Sequence, residues 1–229
     1  MKRILLIAGA ILISVGVAGF VWLNYFRSDG PDEFDLSESP GNGSQSSEPS
    51  EALSNLDGSW VVASGSEAGY RVLEDLRGVK DFEVIGRTST LDGEVTIEGT
   101  SVVAATFEIP VDTISTDSSQ RDNAFKGPNV MNVQEFPTAT FELTGPADFG
   151  SIPAPGESVT SQITGDLTLR GVTQPVTLDV QGQIVGGQIE LVGSIDVVFS
   201  DYGIANPSNA VATVRDSGTV EVKLLLARQ

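Results

Sequence analysis

The chain has 229 residues and a net charge of −18, from 31 acidic and 13 basic side chains. A polyanion of this kind is repelled by phosphate backbones, so nucleic acid is set aside as a partner. There is no cysteine and no histidine, which excludes disulfides, thiolate chemistry, cysteine-ligated zinc and every catalytic triad built on an imidazole base.

The first predicted element is a membrane span. Lys2 and Arg3 precede an uncharged run of twenty residues from Ile4 to Leu23, and Arg27 follows it. At about 1.5 Å per residue the run makes roughly 30 Å of helix, the thickness of a hydrocarbon core. Trp22 and Tyr25 lie at its far end, where amphipathic rings favour the interface. The apolar part of a cleaved signal peptide spans only about 7–15 residues. Residues 1–27 therefore read as a retained signal-anchor, with cleavage as the rival reading. Lys2 and Arg3 stay on the cytoplasmic side, which makes this a single-pass cell-membrane protein with its C-terminal domain outside the cytoplasm.

Residues 28–56 are rich in Ser, Gly, Pro and acid, and have little apolar surface to bury. They read as a disordered linker, with a root-mean-square reach of about 30 Å as a flexible coil. Seven of the acidic residues and three of the basic ones lie before residue 57, so residues 57–229 carry −14 of the charge.

Period-two alternation dominates this last part. Residues 82–99 read as two strands turning at Leu91-Asp92-Gly93, an Asp-Gly hairpin signal. Val103, Ala105, Phe107, Ile109 and Val111 share one face of the next strand. A short helix is expected over Ser118–Phe125, with Asp117 or Ser118 as its cap and Gly127-Pro128 as its stop. Asp112-Thr113 and Ser115-Thr116 would shape the turn into it through side-chain hydrogen bonds to the backbone. Pro137 and Pro175 read as strand starts. Ile163, Gly165, Leu167 and Leu169 then share a face, as do Val176, Leu178 and Val180. Gly186-Gly187 marks a tight turn. Ile189, Leu191, Gly193, Ile195 and Val197 share the next face, and Val220, Val222, Leu224 and Leu226 the last.

About eight antiparallel strands, with one apolar and one wet face and no long helix to cover the apolar one, are most simply accommodated by closure into a barrel. A two-sheet sandwich shows the same alternation. The inner face has two readings, a close-packed core or the lining of a cavity. Ala105, Gly165 and Gly193 interrupt larger inward side chains, and glycine inside a strand can mark a close approach of ligand or backbone.

Two segments are the most distinctive. One runs from Ile109-Pro110-Val111-Asp112-Thr113 through Gln120-Arg121-Asp122-Asn123-Ala124-Phe125 to Glu135-Phe136-Pro137-Thr138-Ala139-Thr140-Phe141. The other is Gly165-Asp166-Leu167-Thr168-Leu169-Arg170-Gly171-Val172-Thr173-Gln174-Pro175. Together they resemble the YceI-like, or polyisoprenoid-binding, family. The resemblance extends to Asp201-Tyr202-Gly203-Ile204 and covers residues 59–229. It implies an all-β, lipocalin-like barrel that holds a long-chain isoprenoid, polyprenyl or quinone, with its polar head near the mouth. Ala105, Phe107, Ile109, Phe141, Gly165, Leu167, Leu178, Leu191 and Gly193 would then line the cavity, and Phe125, Met131 and Phe136 its lid. Arg121 and Asp122 match the family's Arg-Asp pair, and Arg121 either contacts the head group or pins the helical loop to a strand through a carboxylate. Val84-Ile85-Gly86-Arg87-Thr88 keeps the expected Gly-Arg, but the histidine that many members carry near residues 77–82 is missing here, and any head-group contact it makes does not carry over.

The leading expectation is a non-enzymatic lipid carrier with no cofactor and no metal site, for which a homodimer is one possible assembly. A structural or adhesive module with a solid barrel is the alternative. Catalysis would have to rest on carboxylates such as Asp112, Asp117 and Asp122, since no Gly-x-Ser-x-Gly elbow or P-loop is present. Acids on a loop usually form a solvated face.

Overall fold

The computed structural model describes residues 31–37, 53–76, 79–154 and 156–229. The expected span over residues 4–23 and most of the expected linker lie outside these. Among the described residues no helix is long and apolar enough to cross a membrane.

Twelve strands are formed: β1 (Gly58–Val62), β2 (Glu67–Leu76), β3 (Val79–Thr88), β4 (Asp92–Glu98), β5 (Ser101–Pro110), β6 (Thr138–Leu143), β7 (Ala147–Asp148), β8 (Ser158–Leu169), β9 (Val172–Val185), β10 (Gln188–Val198), β11 (Ala212–Val214) and β12 (Ser217–Arg228). Among the described residues they make eight long antiparallel runs, because two pairs are single runs broken midway and the short β7 and β11 lie beside the ring. β12 pairs with β10 on one edge. On its other edge it pairs with β1 near Leu226 and with β2 over Thr219–Lys223. The break between β1 and β2 is held by Ala63 N donating to Leu225 O at 2.7 Å and Leu225 N donating to Ser66 Oγ at 2.8 Å. β3 returns along β2 and β4 along β1. β5, β6, β8, β9 and β10 complete the ring through β4 and β1 in that order, while the far edge of β3 meets the loop after β5 at a single bridge, Arg87 to Ser115.

The Asp-Gly signal is thereby corrected. β3 and β4 do not form a hairpin; each pairs with a different half of the preceding run, and Gly93 lies inside β4 opposite Phe107. Gly186 and Gly187, both at positive φ, do turn β9 into β10. A bulge between Thr96 and Ile97 shifts the β4–β5 register, so Val102 rather than Val103 is buried. Pro175 is not a strand start. It sits inside β9 opposite Asp166, in a stretch that lies beyond the last β10 partner, Asp179, and proline is tolerated on such an edge.

Helix α1 (Ser119–Lys126) forms where expected, with Ser118 as its cap and Gly127 at its end. The turn before it is shaped as anticipated at Thr113, whose hydroxyl donates to Pro110 O at 2.6 Å, and at Thr116, whose hydroxyl oxygen accepts from Ser118 N at 3.1 Å.

Apolar side chains gather at both ends of the barrel. One cluster is built on Trp60, Val95, Ile189, Leu224 and Leu226. Trp60 is fully buried, and its indole donates to Leu56 O at 2.8 Å. The other, at the helix end, holds Val111, Met131, Leu167, Leu169, Val197 and Tyr202. A small third cluster contains Ile163 and Val180.

Residues 33–37, inside the stretch expected to be disordered, lie against the outer wall. Phe34 packs under the Arg87 guanidinium at 3.9 Å, and Ser37 is hydrogen-bonded to Glu190. Their acidic, serine-containing composition suggested solvation, but polar strand residues supply specific partners.

Candidate ligand-binding interior

The inner wall is built from pairs of a glycine and a large side chain on a neighbouring strand. A Cβ placed on Gly165 would lie 2.3 Å from Phe141 Cζ, one on Gly93 2.2 Å from Phe107 Cδ1, and one on Gly86 2.4 Å from Tyr70 Cε1. The rings therefore lie over the glycines, against the wall. At Gly182 the covering group is Leu191 Cδ2, 2.8 Å away, and at Gly193 it is Val180 Cγ2, 3.1 Å away. The chain's own side chains therefore approach Gly165 and Gly193 closely.

The inward side chains differ in burial. Ala105, Leu167 and Met131 are buried. Phe107, Ile109, Phe141, Leu178 and Leu191 keep accessible surface although they sit inside long strands on the inward face, as do Val220 and Val222 on β12. Ile109 touches both end clusters. The rings of Phe107 and Phe141 lie 6.5 Å apart. Of the three expected lid residues, Phe125 and Met131 join the helix-end cluster, whereas Phe136 has its ring over Gly171 at the β8–β9 turn.

The helix end carries a polar lip. Phe125 of α1 stacks on Tyr70 of β2 at 4.7 Å. Arg121 donates to Glu74 Oε1 at 3.3 Å and to Asp117 Oδ1 at 2.5 Å, so the loop-pinning role is the one observed. Glu74 is a buried carboxylate on the same face of β2 as Tyr70. Asp122 Oδ1 accepts from Thr116 N and Oγ1 at 2.8 and 2.7 Å, fixing the loop that enters the helix. Burial pushes the Tyr70 phenol well up; Arg121 opposes this, while Asp122, Glu74 and Asp117 reinforce it. The lip thus sets one guanidinium against three carboxylates.

Several residues that build this end were not singled out in the sequence. Arg170, at positive φ in the β8–β9 turn, donates to Gly203 O at 2.7 Å and to Pro128 O at 2.9 Å. Gln174 donates to Asp201 O at 2.9 Å. These bonds join the second distinctive segment to Asp201-Tyr202-Gly203-Ile204, whose Tyr202 and Ile204 are buried in the helix-end cluster. The available signal for Glu74 was a charge four residues after Tyr70, which at period two places both on one face. A separate open cleft of about 310 Å³, lined by Glu67, Arg87, Thr88, Ser89, Thr90, Thr113 and Ser115, is polar and suits no prenyl tail.

A model of the YceI-like domain matches residues 61–226. The chain belongs to the YceI-like family. It is 34% identical over 129 residues to a UPF0312 protein of Shewanella denitrificans, covering 53% of this chain and 64% of that protein. It is 31% identical over 152 residues to a UPF0312 protein of Pseudomonas aeruginosa, covering 62% and 71%. Among solved structures, a polyisoprenoid-binding domain from Saccharophagus degradans, implicated in plant cell wall breakdown, aligns with a TM-score of 0.60 at 15% identity over 75% of this chain and 98% of that one. Burkholderia cenocepacia BcnA aligns with a TM-score of 0.53 at 18% identity over 74% and 96%. At these identities the structural likeness speaks for the YceI-like barrel fold.

Proposed function

We propose that this protein is a non-catalytic carrier that holds the tail of an isoprenoid lipid in the barrel, tethered by its N-terminal segment to the outer face of the cytoplasmic membrane. The observation that carries this reading is the accessible surface retained by Phe107, Phe141, Leu178 and Leu191. Strand-interior apolar side chains in a solid barrel are close-packed, whereas these, between two end clusters, line room for a tail. Each methylene buried there contributes about 0.8 kcal/mol, so the tail alone can drive binding. The likeness to a polyisoprenoid-binding domain supports the class of cargo.

The head group is uncharged. Arg121 is already engaged by Glu74 and Asp117, and Asp122 adds a further negative charge beside them. A phosphate at this lip would be repelled, while a quinone or an alcohol would not. The domain's acidity likewise disfavours lasting adhesion to anionic head groups. The tether serves instead to keep the barrel beside the bilayer from which it loads.

The test is native mass spectrometry of the full chain purified from a bacterial host, followed by organic extraction. A stoichiometric added mass that extracts as a neutral prenyl lipid is expected. A bare mass, still bare after incubation with quinones and polyprenols, would establish the packed structural module instead. A polyprenyl phosphate would overturn the head-group assignment alone.

A further inference from the structure

The outer wall presents an unusual row of charge. Glu190 points outward from β10, yet it is fully buried, and Glu221 on β12 is 3% exposed. Glu221 accepts from Arg71 Nε at 2.8 Å and from Arg87 Nε and Nη2 at 3.1 and 3.0 Å. Arg87 reaches it across β2 because the intervening position is Gly69, where a Cβ would stand 2.9 Å from Arg87 Cγ. Glu190 accepts from Gln183 at 2.6 Å and pairs with Lys223 at 2.9 Å.

Residues 33–37 complete this row. Phe34 lies on the Arg87 guanidinium. Lys223 Nζ donates to Asp35 O at 3.0 Å. Ser37 donates to Glu190 through its hydroxyl at 2.7 Å and through its amide at 3.1 Å, while Gln183 donates to Ser37 O at 2.8 Å. The contacts run from β3 over β12 to β10 and β9, so the segment crosses the strands.

We propose that the outer wall of β3, β12, β10 and β9 is a peptide-binding site whose ligand is this chain's own segment 33–37, docked in cis as a strap. The specificity is chemical. An aromatic ring meets a guanidinium already held by Glu221, and three residues on, a serine meets a carboxylate, an amide and an ammonium that satisfy its hydroxyl, N–H and carbonyl together. The inference stands on these contacts alone and does not depend on the cargo.

The test is amide hydrogen exchange on the full chain, resolved at residues 33–37 and read beside Val192 and Leu224. The Ser37 amide is expected to exchange at least about tenfold more slowly than in a free peptide of the same sequence. The Phe34→Ala, Ser37→Ala double variant changes no barrel residue and should bring the remaining strap amides to the free rate, with Val192 and Leu224 unaltered. Glu190→Ala should likewise bring the strap amides to the free rate. Free-chain exchange of Ser37 in the unmodified protein would overturn the proposal. So would protection that disappears on dilution with loss of a dimer, since the strap would then be exchanged between copies.

Discussion

Two patches of the barrel, one on each wall, reverse the usual arrangement. Inside, Phe107, Phe141, Leu178 and Leu191 are apolar and keep accessible surface. Outside, Glu190, Glu221 and Arg71 are charged and are almost wholly buried. An ordinary antiparallel barrel packs its inner face and wets its outer one. The contrast teaches what covers each patch: residues 33–37 close the outer one, and the proposed apolar tail would cover the inner one.

The sharpest way to break the outer wall is Glu221→Ala. It removes the acceptor shared by Arg71 and Arg87, and breaking a buried ion pair from one side costs about 3–5 kcal/mol. Urea unfolding of the variant should show a loss in that range. A loss below about 1 kcal/mol would mean that the outer row is solvated and that the comparison of walls fails.

The inner wall is tested by truncating two leucines. Leu226 is fully buried in the cluster near Trp60, and Leu226→Ala should cost about 2–5 kcal/mol. Leu191 is inward but half-buried, and Leu191→Ala should cost about half as much in lipid-free protein, because fewer packed contacts are lost. With lipid bound the two costs should converge. Equal costs in lipid-free protein would indicate a solid barrel.

Gly165→Ala separates wall from lumen. The added methyl would meet the Phe141 ring at 2.3 Å and Glu142 O at 2.6 Å, and overpacking of this kind costs about 1–3 kcal/mol. The displaced ring should also lower lipid uptake. The Gly165→Ala, Phe141→Leu double variant should recover part of both losses; no recovery in either would show that Phe141 does not cover that glycine.

Much of the fold was legible because inward and outward residues alternate faithfully along β8, β9, β10 and β12, and because Ser118 and Gly127 bracket α1 with ordinary cap chemistry. The Asp92-Gly93 signal misled because local turn chemistry says nothing about which strand lies alongside; that is decided by β12, which pairs with β1 and β2 end to end. Gly165 and Gly193 were visible as gaps, but what fills a gap comes from a neighbouring strand and is set by register. The role of Arg121 was legible as one of two alternatives, and the position of Glu74 selects loop-pinning. The strap was hidden because its composition is that of a linker. Only the fold brings Gln183, Glu190 and Lys223, which lie 40 residues apart at the extremes, to one patch.

The smallest expected effect belongs to the strap. Ser37→Ala removes one hydroxyl bond to Glu190 and should weaken docking by about 1 kcal/mol, leaving global stability nearly unchanged. Its pH dependence carries more information. Burial alone would raise the Glu190 pKa, but hydrogen bonds from Gln183, Lys223 and Ser37 outweigh it and hold the carboxyl below the ordinary value of 4.5. The folded chain therefore binds a proton at Glu190 less readily than the unfolded one. The contribution of Glu190 is fully present at neutral pH and is lost only as pH falls below that ordinary value, through the lowered one. Strap exchange, corrected for intrinsic rates, should be flat from pH 8 to about pH 5 and accelerate below it. In Glu190→Ala the acid acceleration should vanish along with the protection. An acceleration that survives in Glu190→Ala would place the titrating group elsewhere.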